Sequence, residues 1–361
     1  METRIFTGTM QHPGDFSQLH EAIDRRQVDP QGIIAILGKT EGNGGRNDFS
    51  RDLAVEISGR LLHDYRKTEG SPIDDSVLLS FSGGTEGIVT PHYRVFEIGA
   101  GQSARTAHKR LAAGRGRTRN FLPQEVGTTA MVYETGRVVT DIIGKAGIDP
   151  DDVHFVHIKG ALPRENPPIS ERNTMAYSRG ASALGVALAL GEVGKGAIAD
   201  DVILKDWTLY SERASTSAKP GLPYSDILVL GNSPLWDSPF VIDHTVMQDI
   251  LDTESVLALI KRLGQGSLNG TASQIAPRWH GIFAKAEADP RQMVRGFRHT
   301  MLSDDDIGDT RYARCVVSSI LAALTGTSTV YVSTRAEHHG PLGGGPVAMI
   351  AAIDADASSS S

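Results

Sequence analysis

The chain has 361 residues, enough to bury a large core and to form two or three domains. Its 43 acidic and 36 basic residues give a formal net charge of −7, which argues against nucleic-acid binding, and its single cysteine, Cys315, excludes an internal disulfide. Because the sequence has neither a signal-like N-terminal segment nor an apolar run of membrane-spanning length, we expect a soluble, cytoplasmic protein.

The first part of the chain combines a strand that ends in lysine, a helix that begins with arginine and a strand that ends in serine. Residues 33–37 form an apolar run just before Lys39, and residues 77–81 form a second run just before Ser82. Short apolar runs closed by glycine predict buried strands followed by tight loops. Between them, Arg51 follows a serine that opens a helical pattern.

The basic run at residues 109–119 comes next and is rich in glycine, alanine and arginine. Its composition predicts a solvated linker rather than a phosphate site.

The same order then recurs in the second part of the chain. Residues 153–158 alternate as a strand does and lead to Lys159. A helix of small and apolar residues follows over 175–190, with Arg179 in its first turn, and its composition predicts close packing on both sides. Residues 226–230 form the next apolar run and lead to Ser233.

The third part repeats the order once more. Residues 281–284 lead to Lys285, a helical pattern opens with Arg311, and residues 329–332 lead to Ser333. An ordered lysine, arginine and serine in three successive parts of the chain predicts three similar α/β units around a pseudo-threefold axis with one central site. The predicted units are 1–103, 112–240 and 246–361.

The chemistry of such a site follows from its residue types. Clustered lysines and arginines repel one another, and this repulsion favours neutral lysine. A neutral lysine beside a serine is a general base for a serine nucleophile, and arginines donate paired hydrogen bonds to carbonyl oxygens. We therefore expect a small, flat, carbonyl-rich ligand and acyl transfer from a cyclic amide or imide to water.

Several stretches also resemble one known family. They begin at Gly38, Ser82, Tyr177, Phe283, Arg298 and Gly340, and the similarity runs from about residue 12 to Ala352. These motifs are similar to those of the cyanuric acid amidohydrolase/barbiturase family of ring-opening amidohydrolases. The resemblance implies three similar α/β units about one active site and a homotetramer. It also implies that cyanuric acid is opened to carboxybiuret, which loses carbon dioxide to give biuret.

The resemblance assigns roles to particular residues. It implies that Ser233 is the nucleophile and Lys159 is its base. The positions expected to hold substrate are Lys39, Arg51, Ser82, Gly83, Arg179, Ser233, Pro234, Lys285, Arg311, Ser333 and Thr334. The resemblance implies no organic cofactor but a structural Mg²⁺ or Ca²⁺, bound mostly through backbone carbonyls. Its expected ligand positions are Glu287, Ala336, His339, Gly340, Pro341 and Gly344.

This sequence departs from the family pattern near its third serine. Thr334-Arg335 stands where the family has two glycines, and His339 stands where the family has glutamine. A backbone role is favoured for His339 over a ring ligand. Two alternatives stay open from the sequence: a barbiturase that opens barbituric acid to ureidomalonate, and a non-catalytic binding protein for cyclic ureides.

Overall fold

The computed structural model describes residues 1–45, 47–67, 76–101, 108–166, 170–264 and 279–353. They form three four-stranded sheets flanked by helices, together with one short hairpin. This arrangement confirms the predicted α/β class and the three similar units. Within these ranges, no helix is both long and apolar enough to cross a membrane.

The first unit contains four strands and two helices. Its elements are β1 (Glu2–Thr9), α1 (Ser17–Asp24), β2 (Ile33–Thr40), α2 (Ser50–Arg66), β3 (Leu78–Gly83) and β4 (His92–Gly99). The strand order across the sheet is β1-β4-β2-β3. Strands β2 and β3 are parallel, and β4 runs antiparallel to both β1 and β2.

The second unit repeats this plan. Its elements are β5 (Arg110–Arg117), α3 (Thr129–Ala146), β6 (Val153–Leu162), α4 (Met175–Ala189), β7 (Ala214–Pro220) and β8 (Asp226–Ser233). The strand order is β5-β8-β6-β7, which is the order of the first sheet with every strand in the equivalent place.

The third unit adds a hairpin to the same plan. Its elements are β9 (Phe240–Met247), α5 (Thr253–Arg262), β10 (Trp279–Ala286), β11 (Met293–Val294), β12 (Phe297–Arg298), α6 (Asp309–Thr325), β13 (Tyr331–Thr334) and β14 (Gly345–Ala352). Its sheet order, β9-β14-β10-β13, again matches the first sheet, while β11 and β12 form the separate hairpin.

Two details of the predicted organisation are wrong. Residues 110–117 are the first strand of the second sheet rather than a linker, because Leu111 and Ala113 are fully buried and Arg115 and Arg117 pair with Asp226. The third unit also begins before residue 246, since its first strand starts at Phe240.

The three sheets share one apolar core. Aromatic side chains from each unit meet there: the rings of Phe155 and Phe283 lie 4.6 Å apart, and those of Phe96 and Phe283 lie 6.4 Å apart. Separate clusters bury the helices of each unit against the other side of its own sheet. Each sheet therefore faces the other two on one side and its helices on the other.

Helix α4 is buried along most of its length, as its composition predicts. Small residues allow α3 to approach it closely. A Cβ added to Gly185 would lie 2.7 Å from both Thr135 Cβ and Val132 O of α3, so only glycine fits at this crossing. Residues 178–187 of α4 are buried, and this rigid helix carries Arg179 to the site.

Candidate functional site

The parallel strand pairs set a lysine and a serine side by side in every unit. In each sheet, the second strand along the chain carries the lysine near its C-terminal end, and the third strand along the chain carries the serine at the same register position. The register pairs are Lys39 with Ser82, Lys159 with Ser217, and Lys285 with Ser333. All three lysines are buried.

The expected pairing of Ser233 with Lys159 is wrong. Ser233 is the last residue of β8, which runs antiparallel to β6, and the residue of β8 opposite Lys159 is Asp226. Seven residues along a strand amount to roughly 23 Å, so Ser233 and Pro234 lie toward the other end of the sheet. The Ser233 hydroxyl donates to Gly147 O at 2.6 Å and has a structural role.

The search for apolar runs does not identify Ser217, because its strand is unusually polar. Strand β7 reads Ala-Ser-Thr-Ser-Ala-Lys-Pro, whereas β8 begins with the apolar run that normally marks a buried strand. The available signal was short: over residues 216–219, buried Thr216 and Ala218 alternate with half-buried Ser217 and Lys219, whereas Ser215 before them is buried too.

The lysine of the first unit is fully satisfied by oxygen acceptors. Lys39 Nζ lies 3.1 Å from Ser82 Oγ, 3.2 Å from Gly83 O and 3.0 Å from Val332 O. The last contact crosses to the third unit, because Val332 precedes Ser333 on β13.

The other two lysines differ in how many acceptors they contact. Lys285 Nζ has three acceptors within residues 333–335, at 3.0–3.4 Å. Among the described residues, Lys159 Nζ makes one hydrogen bond, a long contact of 3.5 Å with Phe81 O. Phe81 precedes Ser82, so this contact crosses to the first unit, just as Lys39 crosses to the third. The serine-bearing strand ends of the three units therefore converge.

Burial is the main reason why the pKa of each lysine falls below its usual value. The pKa of Lys159 falls to about 7, as does that of Lys285, and the pKa of Lys39 is lowered as well. A guanidinium from a neighbouring unit lowers each pKa further. The neighbours are Arg314 for Lys39, Arg51 for Lys159 and Arg179 for Lys285.

Two of these arginines are held by a glutamate from the next unit. Arg179 donates to both carboxylate oxygens of Glu337 at 2.6 and 2.8 Å, and Arg314 donates to both oxygens of Glu86 at 2.6 and 2.7 Å. Each glutamate comes four residues after the serine of its own unit. Paired N–H···O bonds of this kind fix the plane of the guanidinium.

Arg311 is not the arginine of the third unit. Its side chain is 45% exposed and approaches Glu86 only to 3.7 Å, while the side chain of Arg314 is 6% exposed. The signal for Arg314 was present in the sequence, because residues 312–314 and 177–179 both read Tyr-x-Arg. The pattern of a hydroxyl residue followed by arginine picks out Thr310-Arg311, which lies about one helical turn before Arg314.

The interface between the first and second units carries a different set of charges. Arg51 donates to Gly45 O at 2.7 Å and lies 3.6 Å from Asp48. The position four residues after Ser217 is Gly221, which has no carboxylate. Lys219 stands two residues after the serine and lies 3.8 Å from Asp52 of α2.

Comparison with known proteins identifies the family. Residues 4–352 match the family model of the amidohydrolase ring-opening proteins.

The chain belongs to this family.

Known members resemble this amidohydrolase along nearly their whole length. A cyanuric acid amidohydrolase of Bradyrhizobium diazoefficiens is 44% identical, with 97% of this chain and 98% of that protein covered. A cyclic amide hydrolase of Azorhizobium caulinodans is 39% identical, with 97% and 99% covered. A solved cyanuric acid hydrolase, described as an innovation by structural concatenation, superposes with a TM-score of 0.90 at 40% identity, covering 98% and 99% of the two chains.

The loop expected to bind a cation follows the last lysine of this amidohydrolase. Glu287 accepts the Gly343 N–H at 3.3 Å, and burial raises its pKa to about 7, with Glu337 and Asp289 contributing. Gly340 and Gly343 both have positive φ, which lets the loop turn back toward Glu287. The Glu337 and Asp289 carboxylates are bound by arginines, so half-buried Glu287, beside a tightly turned backbone, is the carboxylate of this loop that suits an oxygen-ligated divalent cation.

The ring of His339 does not fit that role. Its Nε2 contacts both the Thr216 N–H and the Thr216 hydroxyl at 3.0 and 2.9 Å, and its Nδ1 lies 2.7 Å from Glu337 O. Both ring nitrogens are therefore engaged, and only a backbone role remains. Two of the expected carbonyl ligands, Ala336 O and Pro341 O, already accept hydrogen bonds within the loop's turns.

Proposed function

We propose that this protein opens the ring of cyanuric acid by hydrolysis, with Ser217 as nucleophile and Lys159 as its base. The single observation that carries this proposal is the parallel register that aligns Ser217 with a buried lysine. Family membership and the cyanuric acid amidohydrolases among its relatives support the substrate.

The reaction requires one proton to move back and forth. Lys159 Nζ takes the hydroxyl proton of Ser217 as Oγ attacks a ring carbonyl carbon. The ring C–N bond then breaks, and the leaving nitrogen receives that proton from the lysine ammonium. Water, deprotonated by the same lysine, then attacks the acyl carbon; the bond to Ser217 Oγ breaks, and the lysine ammonium returns the proton to Oγ. The product is carboxybiuret, which loses carbon dioxide to give biuret.

Lys159 suits this role better than the other two lysines. A base must be neutral, and carbonyl acceptors stabilise the charged ammonium instead. Lys39 has three acceptors within 3.2 Å, whereas Lys159 has one at 3.5 Å. The Ser217 hydroxyl now donates weakly to Ile158 O at 3.3 Å, so a small rotation about its Cα–Cβ bond releases it for attack.

The remaining groups hold the ring. Lys39 with Ser82, and Lys285 with Ser333, offer donors to ring carbonyls. Arg51, Arg179 and Arg314 lie beside the three lysines, so positively charged side chains would surround a carbonyl-rich ring bound there. The glutamate-held guanidiniums of Arg179 and Arg314 are already oriented before substrate arrives, which lowers the entropic cost of binding.

Barbituric acid is the second candidate substrate, because the residues that follow the three serines differ. They are Gly83, Ala218 and Thr334. Gly83 has no room for a side chain, since a Cβ there would lie 1.7 Å from Asp48 Oδ2. The Thr334 hydroxyl accepts a bond from Arg314 Nη1 at 3.0 Å, so one guanidinium donor of the third unit is held by the residue that follows its own serine.

The test is incubation of the purified protein with each ring compound, following substrate loss and product by chromatography. We expect cyanuric acid to be consumed with formation of biuret. Preferential loss of barbituric acid would show that barbituric acid, rather than cyanuric acid, is the substrate. If neither compound is consumed by a folded protein, the proposed activity is wrong.

We also propose that Glu287 and the 336–344 loop hold Mg²⁺ or Ca²⁺. Such an ion would offset the charge on Glu287 and stabilise the loop that carries Glu337, the partner of Arg179. We expect chelation to lower the melting temperature of the wild type and to leave Glu287→Gln unaffected. A wild type that contains no ion and is unchanged by chelation would contradict this proposal.

A homotetrameric assembly and a cytoplasmic location are further proposals, supported by the family resemblance. Light scattering of the purified protein tests the first, with four chains of 38.7 kDa each as the expected particle.

A further inference from the structure

Two histidine rings face each other where the second and third units meet. His154, the second residue of β6, and His244 of β9 approach to 2.8 Å between their Nδ1 atoms. The carboxylate of Asp243 lies 3.6 Å from His154 Nδ1. One ligand atom from each of these three residues falls within 4.8 Å of the other two.

Both rings are neutral, so each can offer a lone pair. Burial is the main reason why their pKa values fall, to about 4 for His154 and about 3 for His244. Two nitrogens at this separation share a proton in the absence of metal. A metal ion takes the place of that proton when the donor ring moves its hydrogen from Nδ1 to Nε2.

The surrounding groups orient the carboxylate as they do in known metal sites. Arg262 Nε donates to Asp243 Oδ2 at 2.7 Å, and the backbone N–H of His244 donates to Asp243 Oδ1 at the same distance. Hydrogen bonds of this kind to a ligating carboxylate fix its direction. Arg213 and Arg262 are nearby cations that oppose metal entry; Arg213 is 3.5 Å from Glu192, and Arg262 is paired with Asp243.

A small cavity beside His154, of about 10 Å³, has space for at most about one water molecule. This cavity between the two units is lined by His154 together with Arg213, Ser215 and Lys285. Water in this space can complete a coordination shell that has three protein ligands.

We propose that His154, Asp243 and His244 bind a divalent transition-metal ion, with Zn²⁺ as the probe. Two imidazole nitrogens and one carboxylate oxygen are a ligand set that Zn²⁺ accepts readily. At zinc–nitrogen distances of about 2.1 Å in a tetrahedral shell, the two nitrogens stand roughly 3.4 Å apart. The rings therefore separate by roughly 0.6 Å on binding, within the reach of side-chain rotation.

This site is distinct from the catalytic residues and from the cation loop. His154 precedes Lys159 by five residues, which is roughly 16 Å along the strand. Its nitrogen ligands favour transition metals, whereas Glu287 and the 336–344 loop favour hard cations bound by oxygen. The ion would join β6 of the second unit to β9 of the third and so stabilise their interface.

The test is zinc binding by the full chain after removal of metal by chelation, with Mg²⁺ in excess to occupy oxygen-ligated sites. We expect the wild type to bind one Zn²⁺ per chain that the His154→Asn and His244→Asn variants do not bind. Zn²⁺ should also raise the melting temperature of the wild type. Asp243→Asn should bind about tenfold more weakly. Co²⁺ in place of Zn²⁺ should give the visible absorption of a four-coordinate ion.

Two controls and one independent measurement complete the test. His20→Asn removes an exposed histidine that also neighbours an aspartate, 3.0 Å away, and it should bind zinc as the wild type does. Glu287→Gln should do the same. If the asparagine variants fail to fold, anomalous diffraction from wild-type crystals soaked in Zn²⁺ decides. An ion beside both Nδ1 atoms supports the proposal, whereas zinc found only elsewhere, or equal uptake by all variants, overturns it.

Discussion

The lysine–serine pairs of the first and second units occupy equivalent positions in equivalent sheets but differ in their surroundings. Lys39 contacts three oxygen atoms, whereas Lys159 has one distant acceptor. Four residues after Ser82 stands Glu86, and four residues after Ser217 stands Gly221. Repetition of the fold thus supplies three similar pairs, and a few side chains make them chemically unequal.

The two lysines also differ in the charged groups that surround the nearest guanidinium. Glu86 offsets the charge of Arg314 beside Lys39, so the lysine there keeps an acidic neighbour. Beside Lys159, Arg51 lies 3.6 Å from Asp48 of its own unit, Lys219 adds a second positive charge, and Asp52 adds a negative one. Burial lowers the pKa of both lysines, and each has an acidic neighbour, so the scarcity of oxygen acceptors around Lys159 is what favours its neutral form, the condition a general base requires.

The largest expected effect comes from removing the proposed nucleophile. Ser217→Ala should lower kcat by on the order of 10³-fold or more, because no other hydroxyl occupies its register position. Ser82→Ala and Ser333→Ala should retain measurable turnover and mainly weaken substrate positioning. Steady-state kinetics of the three variants makes the comparison. Abolished activity in Ser82→Ala with near-normal Ser217→Ala would move the nucleophile to the first unit.

Ser233→Ala is the matched control for that experiment. Its hydroxyl bonds to Gly147 O far from the lysines, so activity should stay near the wild-type level. The free energy of unfolding should fall by about 1–3 kcal/mol, because Oγ also accepts the Leu235 N–H at 3.2 Å and two hydrogen bonds are lost. Loss of catalysis in a stable Ser233→Ala variant would contradict the reassignment to Ser217.

Lys159→Met should cost about as much activity as Ser217→Ala. The double variant should be no worse than either single one, because a nucleophile and its base act as a unit. Lys39→Met serves as the comparison and should lose less catalysis but more stability, since it strands the acceptors that now surround Nζ. Additive losses in the Lys159–Ser217 double variant would argue that the two do not act together.

Much of the fold could be predicted from the sequence, because apolar runs closed by glycine mark buried strands well. Strands β2, β6 and β10, with their terminal lysines, lie where the pattern indicated. The pattern failed at β7, whose polar residues gain their burial from neighbouring units rather than from an apolar sequence. Thr216, for example, is satisfied by His339 of the third unit. Burial created by contacts between units leaves no local signal.

The site could be predicted by residue type more reliably than by residue number. Lysine, serine and arginine do converge, but the serine of the second unit and the arginine of the third were misassigned. Helix periodicity could not separate the two candidates, because Arg311 and Arg314 are about one turn apart and both approach Glu86, at 3.7 and 2.6 Å. Which of two arginines points inward depends on how the helix docks, and that is a property of the tertiary structure.

Replacing these two arginines should therefore have unequal effects. Arg314→Gln breaks a partly buried pair and leaves Glu86 with only the more distant Arg311, which should lower the free energy of unfolding by about 1–3 kcal/mol and reduce kcat/KM. Arg311→Gln changes an exposed side chain, and its effect should stay within about 0.5 kcal/mol. Chemical denaturation and steady-state kinetics measure both. Equal effects of the two substitutions would restore Arg311 as a site residue.

The smallest expected effect is a shift in the pH profile caused by charges around Lys159. Activity requires neutral lysine, so kcat/KM should fall as the pH drops through its pKa of about 7. The groups that face it are Arg51, Asp52, His157, Lys219, Asp226 and Lys285.

Lys219→Gln removes a positive neighbour and should move the acidic limb to higher pH by a few tenths of a unit, because a cation disfavours the ammonium. Asp52→Asn removes a negative neighbour and should move the limb to lower pH. Lys195→Gln, a substitution in the loop after α4, should leave the profile unchanged. Shifts of the same sign in Lys219→Gln and Asp52→Asn would show that the limb reports a group other than Lys159.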